Sequence, residues 1–105
     1  MTPAYRYRAQ LERVIDADTL KLRVDLGFGV WTVLTVRVRG IDTPELRTPE
    51  GDAAKAFVVR LLDSQPAIVI ETYKDQQTFA RWVADVYVAN ELLADRLRRE
   101  GWVKA

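Results

Sequence analysis

The first third of the chain alternates apolar and polar residues, which is the pattern of β-strands that bury one face. From Tyr5 to Val38, β-branched and aromatic residues dominate, and the pattern breaks at Asp16–Asp18 and at Leu26–Gly29. The second segment has its apolar residues on a single face, and these are Leu20, Leu22 and Val24. The alternation predicts three consecutive strands that are joined as a meander.

The rest of the chain adds a helix, two strands and a second helix. The predicted elements are a helix over Asp52–Leu62, strands over Ala67–Tyr73 and Ala80–Val88, and a helix from the N-cap Asn90 to Glu100, closed by Gly101. This order, β-β-β-α-β-β-α, predicts a mainly β fold with some α: a five-stranded OB-fold Greek-key barrel with two helices. At 105 residues the chain is expected to form one domain, residues 1–105.

Composition limits the chemistry of a possible active site. The chain has no cysteine and no histidine, which excludes thiolate and imidazole ligands and the commonest general base. Any bound metal is therefore expected to be a hard ion held by oxygen atoms, such as calcium, magnesium or manganese. The net charge of +1 does not by itself indicate a nucleic-acid partner.

The sequence also bears on location. No segment has the ~18 consecutive apolar residues of a membrane span, so no membrane association is expected. The first residues carry no apolar stretch of signal-peptide length. Either export is absent or a leader has been removed, and we expect a cytoplasmic rather than a secreted protein.

The densest group of opposed charges lies around Asp42–Glu45. Two carboxylates, Asp42 and Glu45, follow a strand whose alternation places Arg37 and Arg39 on one face, ~7 Å apart. The run can also be explained as a helix start, with a threonine cap, a proline at the first position and a glutamate near the helix dipole. Thr48–Glu50 repeats that pattern and is assigned only the helix-start role.

Two further candidates also have a purely structural explanation. Asp16–Thr19 taken alone is better explained as a tight turn than as a second acidic site, because aspartates satisfy backbone N–H groups in turns. Arg81 opens the fifth strand and is explained either as an edge residue that pairs with Asp85 or as part of the site. The three arginines of the last helix are expected to form a solvated face that adds at most weak attraction to phosphate.

Together these motifs resemble the staphylococcal nuclease (thermonuclease) family. The resemblance runs from about Leu11 to Val103, and the segments that carry it are Val14–Leu22, Val36–Glu45, Arg81 and Asn90–Leu93 with Gly101. An acidic-x-Asp-Thr motif followed by Arg, four residues and Asp-Thr-Pro-Glu is specific, whereas each piece alone is weak.

The resemblance implies a calcium-dependent endonuclease that hydrolyses phosphodiester bonds in DNA and RNA, acting on single-stranded or denatured substrates as a monomer. By the same resemblance, Asp18, Asp42 and the carbonyl of Thr43 are metal ligands, and Asp16 is a secondary acidic residue near the metal. Glu45 is the general base or orients the attacking water, and the two arginines that hold the phosphate are Arg37 and Arg81.

The sequence departs from the family pattern in three places. Gln77–Ala80 replaces an acidic residue, a tyrosine and a glycine, so Phe79 can stack on a base but cannot donate a phenol hydrogen bond. The loop between Glu45 and Asp52 is short, and the family's third helix with its tyrosines is missing. Altered access, stability and substrate affinity are therefore expected.

Two rival functions remain open. A catalytically silent nucleic-acid-binding module would keep the barrel but lose some of the chemical positions, and none is lost here. A protein-interaction module would need clustered aromatic residues near the cleft, and the sequence shows no such cluster.

Overall fold

The architecture is taken from a computed structural model that describes residues 5–78 and 81–104. The side chains of residues 74–78 and 81 are not described. The elements, in chain order, are β1 (Tyr5–Asp16), β2 (Thr19–Asp25), β3 (Trp31–Val38), α1 (Pro49–Leu62), β4 (Ile68–Thr78), β5 (Arg81–Val88), β6 (Glu91–Leu92) and α2 (Leu93–Arg99).

The strands form one sheet that closes on itself. Their order is β3-β2-β1-β4-β5-β6, and a parallel pairing between β3 and β5 closes the first five strands into a barrel, with β6 paired to β5. The predicted five-stranded OB-type barrel with two helices is confirmed. The short strand β6, which pairs antiparallel with β5, is an addition that the sequence pattern did not predict.

The core lies inside the barrel, where the apolar face of each strand meets its neighbours. Leu20, Leu22 and Val24 are all buried, as their alternation predicts. The two helices contribute further buried residues, which are Ala54, Val58 and Leu62 from α1 and Leu93, Ala94 and Leu97 from α2. Burial of these aliphatic side chains supplies the main favourable free energy of folding.

Three predicted boundaries were wrong. Helix α1 begins at Pro49 rather than Asp52, because Thr48 is its N-cap and its Oγ1 accepts a hydrogen bond from Gly51 N–H at 3.0 Å. Strand β4 continues to Thr78, five residues beyond its predicted end at Tyr73. Helix α2 begins at Leu93, and Asn90 is not its cap but a turn residue with φ of 69°.

Strand β1 has two neighbours. Its first half, Tyr5–Ala9, pairs with β4, and the stretch Ala9–Asp16 pairs with β2, with irregular register between Leu11 and Arg13 and again between Val14 and Asp16. Such bulges bend and twist a strand, so that it can pass from one side of a barrel to the other.

No helix among the described residues is long and apolar enough to cross a membrane.

Candidate active site

The start of β2 lies beside the end of β3, and this junction gathers the predicted site residues. Thr19 pairs with Arg37 across the two strands, and Val38 N–H donates to Asp18 C=O at 2.8 Å. The Arg37 guanidinium lies between two carboxylates: its Nη2 is 3.5 Å from Asp18 Oδ2 and 3.2 Å from Asp42 Oδ1. Asp18 and Asp42, which come from different parts of the chain, are therefore neighbours, as the sequence predicts.

Asp18 is the most enclosed acidic residue of the site. Only 6% of its surface is exposed. Its Oδ2 accepts a hydrogen bond from Thr43 N–H at 3.1 Å, and its Oδ1 accepts one from the Thr19 hydroxyl at 3.0 Å. The bond to Thr43 spans 25 residues. Asp18 is thus more than a turn residue, because it connects β2 to the loop that carries Asp42 and Glu45.

Asp16 and Asp18 interact electrostatically. Burial raises the pKa of Asp16 to about 6, and the hydrogen bond and negative charge of Asp18 contribute to that increase. Burial also acts to raise the pKa of Asp18, but hydrogen bonds from Asp16, Thr43 and Thr19, together with the charge of Arg37, outweigh it and lower that pKa. The pair therefore concentrates negative charge beside Arg37.

The segment Ile41–Glu45 contains no helical turn, so the structure does not support the helix-start explanation of Asp42–Glu45. The carboxylate of Glu45 is open to solvent, with 84% of the side chain exposed. The helix-start role falls to Thr48 and Pro49, as assigned from the sequence. Asp42 and Glu45 therefore do not start a helix, and their side chains are exposed on the surface.

Lys104 is a site residue that the sequence analysis missed. Its backbone N–H donates to Asp42 C=O at 2.8 Å, and its Nζ lies 3.7 Å from Asp42 Oδ2 and 4.0 Å from Glu45 Oε1. Lys104 is far from both residues in sequence and belongs to no motif, so no sequence signal pointed to it. Its ammonium group supplies positive charge between Asp42, a predicted metal ligand, and Glu45, the predicted base.

Gly51 brings helix α1 against the backbone of the Glu45 loop. A Cβ atom at this position would lie 1.7 Å from the carbonyl oxygen of Glu45 and 2.9 Å from that of Pro44. Thr48 Oγ1 also donates to Glu45 C=O at 2.6 Å. The position of the Glu45 loop is therefore set by direct contact with the first turn of α1.

Arg39 belongs to a different cluster from Arg37. Its Nη1 lies 3.6 Å from Asp85 Oδ2, and its guanidinium stacks over the Tyr73 ring at 4.4 Å. The Tyr73 hydroxyl donates to the same Asp85 carboxylate. Among the described residues, Asp85 is thus engaged by Arg39 and Tyr73.

For Arg81 the structure describes only the backbone. Strand β5 begins at Arg81, two residues before Val83, which pairs with Arg37 in the parallel β3–β5 ladder. The predicted contact between the Arg81 side chain and phosphate lies outside the described residues, as does the predicted stacking of Phe79 on a base.

The arginines of α2 are engaged with neighbouring groups. Arg96 and Arg99 form ion pairs with Glu91, and Arg98 pairs with Asp95 and donates to Gly40 C=O at 2.8 Å. They fix α2 to the barrel, and only part of their charge is open to a ligand.

Several aromatic residues lie at one mouth of the barrel. Tyr5, Tyr7, Tyr73 and Trp82 line an apolar cavity of about 380 Å³. Of the predicted site residues whose side chains the structure describes, none lines this cavity. The aromatic cluster that a protein-interaction module requires therefore exists, but it is separate from the acidic site.

The donor set suits a hard divalent cation. Asp18 and Asp42 offer only oxygen atoms, and both lie beside the same guanidinium, that of Arg37. Within residues 5–78 and 81–104, however, no three acidic side chains converge closely enough to form a preformed cage. A calcium ion bound here would take most of its 6–8 oxygen ligands from water.

Comparison with known proteins identifies a family. Residues 35–105 match the family model described as "Staphylococcal nuclease homologue", a range that contains Arg37, Asp42, Thr43, Glu45 and Arg81 but begins after Asp18. Two curated rice proteins (Oryza sativa subsp. japonica), "Probable staphylococcal-like nuclease CAN2" and "Probable staphylococcal-like nuclease CAN3", are each 33% identical over 66 residues. The matched stretch covers 63% of this chain and 17% of each rice protein.

Proposed function

Because the chain belongs to the staphylococcal nuclease homologue family, we propose that it is a calcium-dependent nuclease that hydrolyses phosphodiester bonds in single-stranded or denatured DNA and in RNA. The observation that carries the proposal is the position of Arg37, whose guanidinium lies between Asp18 and Asp42 at the junction of β2 and β3. This junction combines a phosphate-binding group with two oxygen ligands for a hard cation.

Asp18, Asp42 and the carbonyl of Thr43 would hold the metal. Calcium, when bound, offsets the negative charge that develops on the phosphoryl oxygens and makes a bound water easier to deprotonate. The hydrogen bonds that Thr43 N–H and Thr19 donate to Asp18 keep its carboxylate ionised and fixed in direction.

Glu45 is the proposed general base. Its exposed carboxylate can accept a proton from the attacking water as the bond from that water to phosphorus forms. The bond from phosphorus to the 5′ oxygen breaks in the same displacement, and the proton that the leaving oxygen needs comes from solvent. Lys104 Nζ lies 4.0 Å from Glu45 Oε1 and helps to orient this carboxylate.

Arg37 and Arg81 are the proposed phosphate-binding groups. A guanidinium donates two parallel hydrogen bonds that match the geometry of phosphate better than a lysine does. In the absence of substrate, Arg37 donates to Asp18, to Asp42 and to Ile41 C=O at 3.0 Å. These contacts orient the guanidinium before substrate binds, which lowers the cost of reorganisation during the reaction.

The test is an assay of the purified chain on labelled single-stranded DNA and RNA oligonucleotides. We expect cleavage in calcium at alkaline pH and its loss when a chelator removes the metal, with activity restored by added calcium. No cleavage of either substrate in calcium would contradict the enzymatic proposal. Retained binding without cleavage would then favour the silent nucleic-acid-binding module.

A further inference from the structure

The outer face of β2 and β3 carries a row of residues that leads away from the candidate active site. We call it the β2–β3 track and define it as Lys21, Arg23, Trp31 and Thr35, with Arg13 on the adjacent strand β1. Lys21 pairs with Thr35, and the next pair towards the active site is Thr19 with Arg37. From Arg37 to Trp31 the track is ~20 Å long, at the rise of an antiparallel strand.

Two cations of the track face each other directly. Arg13 and Lys21 are partners in the β1–β2 ladder, which places their side chains on the same face of the sheet. Within the described part of the chain, neither lies within 4.0 Å of a carboxylate. Like charges directly opposite one another destabilise a sheet. A bound polyanion would relieve this repulsion.

The far end of the track combines a cation with an aromatic ring. The Arg23 guanidinium stacks over the Trp31 ring at 4.4 Å, and Trp31 is 36% exposed. Arg23 also donates to Gln10 Oε1 at 3.4 Å, which helps to fix its direction. Exposed aromatic rings and guanidinium planes are the surfaces on which unpaired bases stack.

Two acidic residues lie near the track and offset only part of its charge. Asp25 is the cross-strand partner of Trp31, and its carboxylate accepts a hydrogen bond from Gly27 N–H at 2.8 Å in the β2–β3 turn. Glu12 is exposed at the irregular register between Leu11 and Arg13, and it forms no ion pair within 4.0 Å among the described residues. The track therefore keeps an excess of positive charge.

We propose that the β2–β3 track binds the sugar-phosphate backbone and bases of a single-stranded nucleic acid whose scissile phosphate lies at Arg37. This proposal rests on the proposed nuclease function and extends it to a binding surface beyond the reacting phosphate. Three observations support the proposal: charge complementarity to phosphate, the stacked Arg23–Trp31 pair and the continuity of the row with Arg37. The length of the track is consistent with the lower end of the ~4–16 nucleotides that one OB fold binds.

The first test measures binding without catalysis. A fluorescent single-stranded octanucleotide is titrated with the protein in the presence of a chelator, over a range of salt concentrations. For the double variant Lys21→Gln/Arg23→Gln, we expect the slope of log K against log[salt] to become less steep by about 1.4, since each lost phosphate contact contributes about 0.7. At about 0.1 M salt this corresponds to about 25-fold weaker binding. Trp31→Ala should weaken binding about fivefold or more.

The matched control is Lys55→Gln/Arg60→Gln, which removes two positive charges from helix α1. This control should bind the octanucleotide like the wild type. If the track variant binds as tightly as the wild type, or if the control loses as much affinity, the proposal is wrong. In a further experiment, vesicles containing phosphatidylserine replace the oligonucleotide. If the track variant loses vesicle binding but binds the oligonucleotide like the wild type, the proposal is also wrong.

A second test separates this proposal from the nuclease proposal. Cleavage of a dinucleotide and of the octanucleotide is compared in calcium, and the readout is kcat/KM for the octanucleotide divided by kcat/KM for the dinucleotide. The double variant should lower this ratio at least tenfold, because only the longer substrate reaches the track. If the wild type cleaves neither substrate, the nuclease proposal is wrong. The binding test in chelator then still shows whether the track binds single-stranded nucleic acid.

Discussion

Arg37 has two partners that reach it from different parts of the chain. Asp18 is buried at the start of β2, whereas Asp42 stands on an exposed loop after β3. A single guanidinium between two carboxylates holds the candidate metal ligands close together, and the same contacts orient it before substrate binds. The proposed roles of Arg37 and Glu45 differ, so each residue can be tested on its own.

Both groups can be tested by single substitutions. Glu45→Gln removes the proposed base but keeps the shape of the side chain, and we expect kcat to fall by about 10²–10⁴. Arg37→Ala should lower kcat/KM by a comparable factor, since a lost contact to developing charge costs ~3–4 kcal/mol. The assay is calcium-dependent cleavage, with circular dichroism as the check on folding.

The matched control for Glu45→Gln is Glu50→Gln, because Glu50 is also exposed and lies in the first turn of α1. It should cleave like the wild type. Unchanged turnover in both Glu45→Gln and Arg37→Ala would mean that the active site lies elsewhere.

Tyr73 gives a prediction about stability at alkaline pH. The hydrogen bond to Asp85, followed by burial, raises the pKa of Tyr73 from 10.0 to about 12. A raised pKa means that the folded state favours the neutral phenol. The resulting stabilisation is complete below pH 10 and is lost as the pH rises towards 12.

Urea unfolding between pH 9 and pH 12 measures this effect. The difference in unfolding free energy between the wild type and Tyr73→Phe should shrink across that range, because phenylalanine does not ionise. A constant difference would show that the Tyr73–Asp85 hydrogen bond does not control the ionisation of Tyr73.

At the scale of elements, helix α1 positions the loop that carries the proposed base. Its first turn contacts this loop at Gly51, where a Cβ atom would lie 1.7 Å from Glu45 C=O. The helix and the loop cannot both keep their places if this glycine is replaced. Gly51→Ala should lower the unfolding free energy by about 1–3 kcal/mol and should also reduce cleavage, because Glu45 moves with its backbone.

The matched control is Ala53→Gly on the exposed side of α1. It lowers helix propensity by about 1 kcal/mol without touching the loop. At a temperature where both variants are folded, Ala53→Gly should retain activity and Gly51→Ala should not. Equal activity in the two variants would show that the packing of α1 at Gly51 does not control the position of Glu45.

Element boundaries show where sequence reasoning reached its limit. The alternation in β2 and β3 fixed their faces correctly, since burial on one side of a sheet leaves a period of two in the sequence. Strand β4 continues to Thr78 because it pairs with β5 there, and a polar sequence gives no sign of that long-range partner. Asparagine is a common N-cap residue, but Asn90 lies in the turn that precedes β6.

The site was predictable to the extent that motifs identify its members. Asp18, Asp42, Thr43 and Arg37 meet as predicted. Lys104 is close to the site only in the folded protein, where it contacts Asp42. Arg39 was expected on the same face as Arg37, but its guanidinium contacts Asp85 and stacks on Tyr73. Contacts of this kind depend on distance in space, which local patterns do not encode.

At the scale of the whole molecule, calcium is expected to stabilise the fold. A ligand that binds only the native state adds about 2.7 kcal/mol at a hundred times its dissociation constant. For a domain of this size that raises Tm by roughly 10 °C or more. Asp18→Asn should remove the shift, because it removes a proposed ligand.

Thermal unfolding with calcium and with a chelator measures the shift. Asp63→Asn is the control, since Asp63 is an exposed aspartate at the end of α1. It should retain the full calcium effect. A calcium shift that persists in Asp18→Asn would place the metal outside the junction of β2 and β3.

The two partners of strand β1 have a consequence for how the molecule opens. Ala9 pairs with Val24 on one side and with Ile68 on the other, so the centre of β1 belongs to both halves of the sheet. Neither half can separate from β1 without disturbing the middle of this strand. The amide hydrogens around Ala9 should therefore exchange with solvent deuterium only when the entire domain unfolds, and they should be the slowest in the chain.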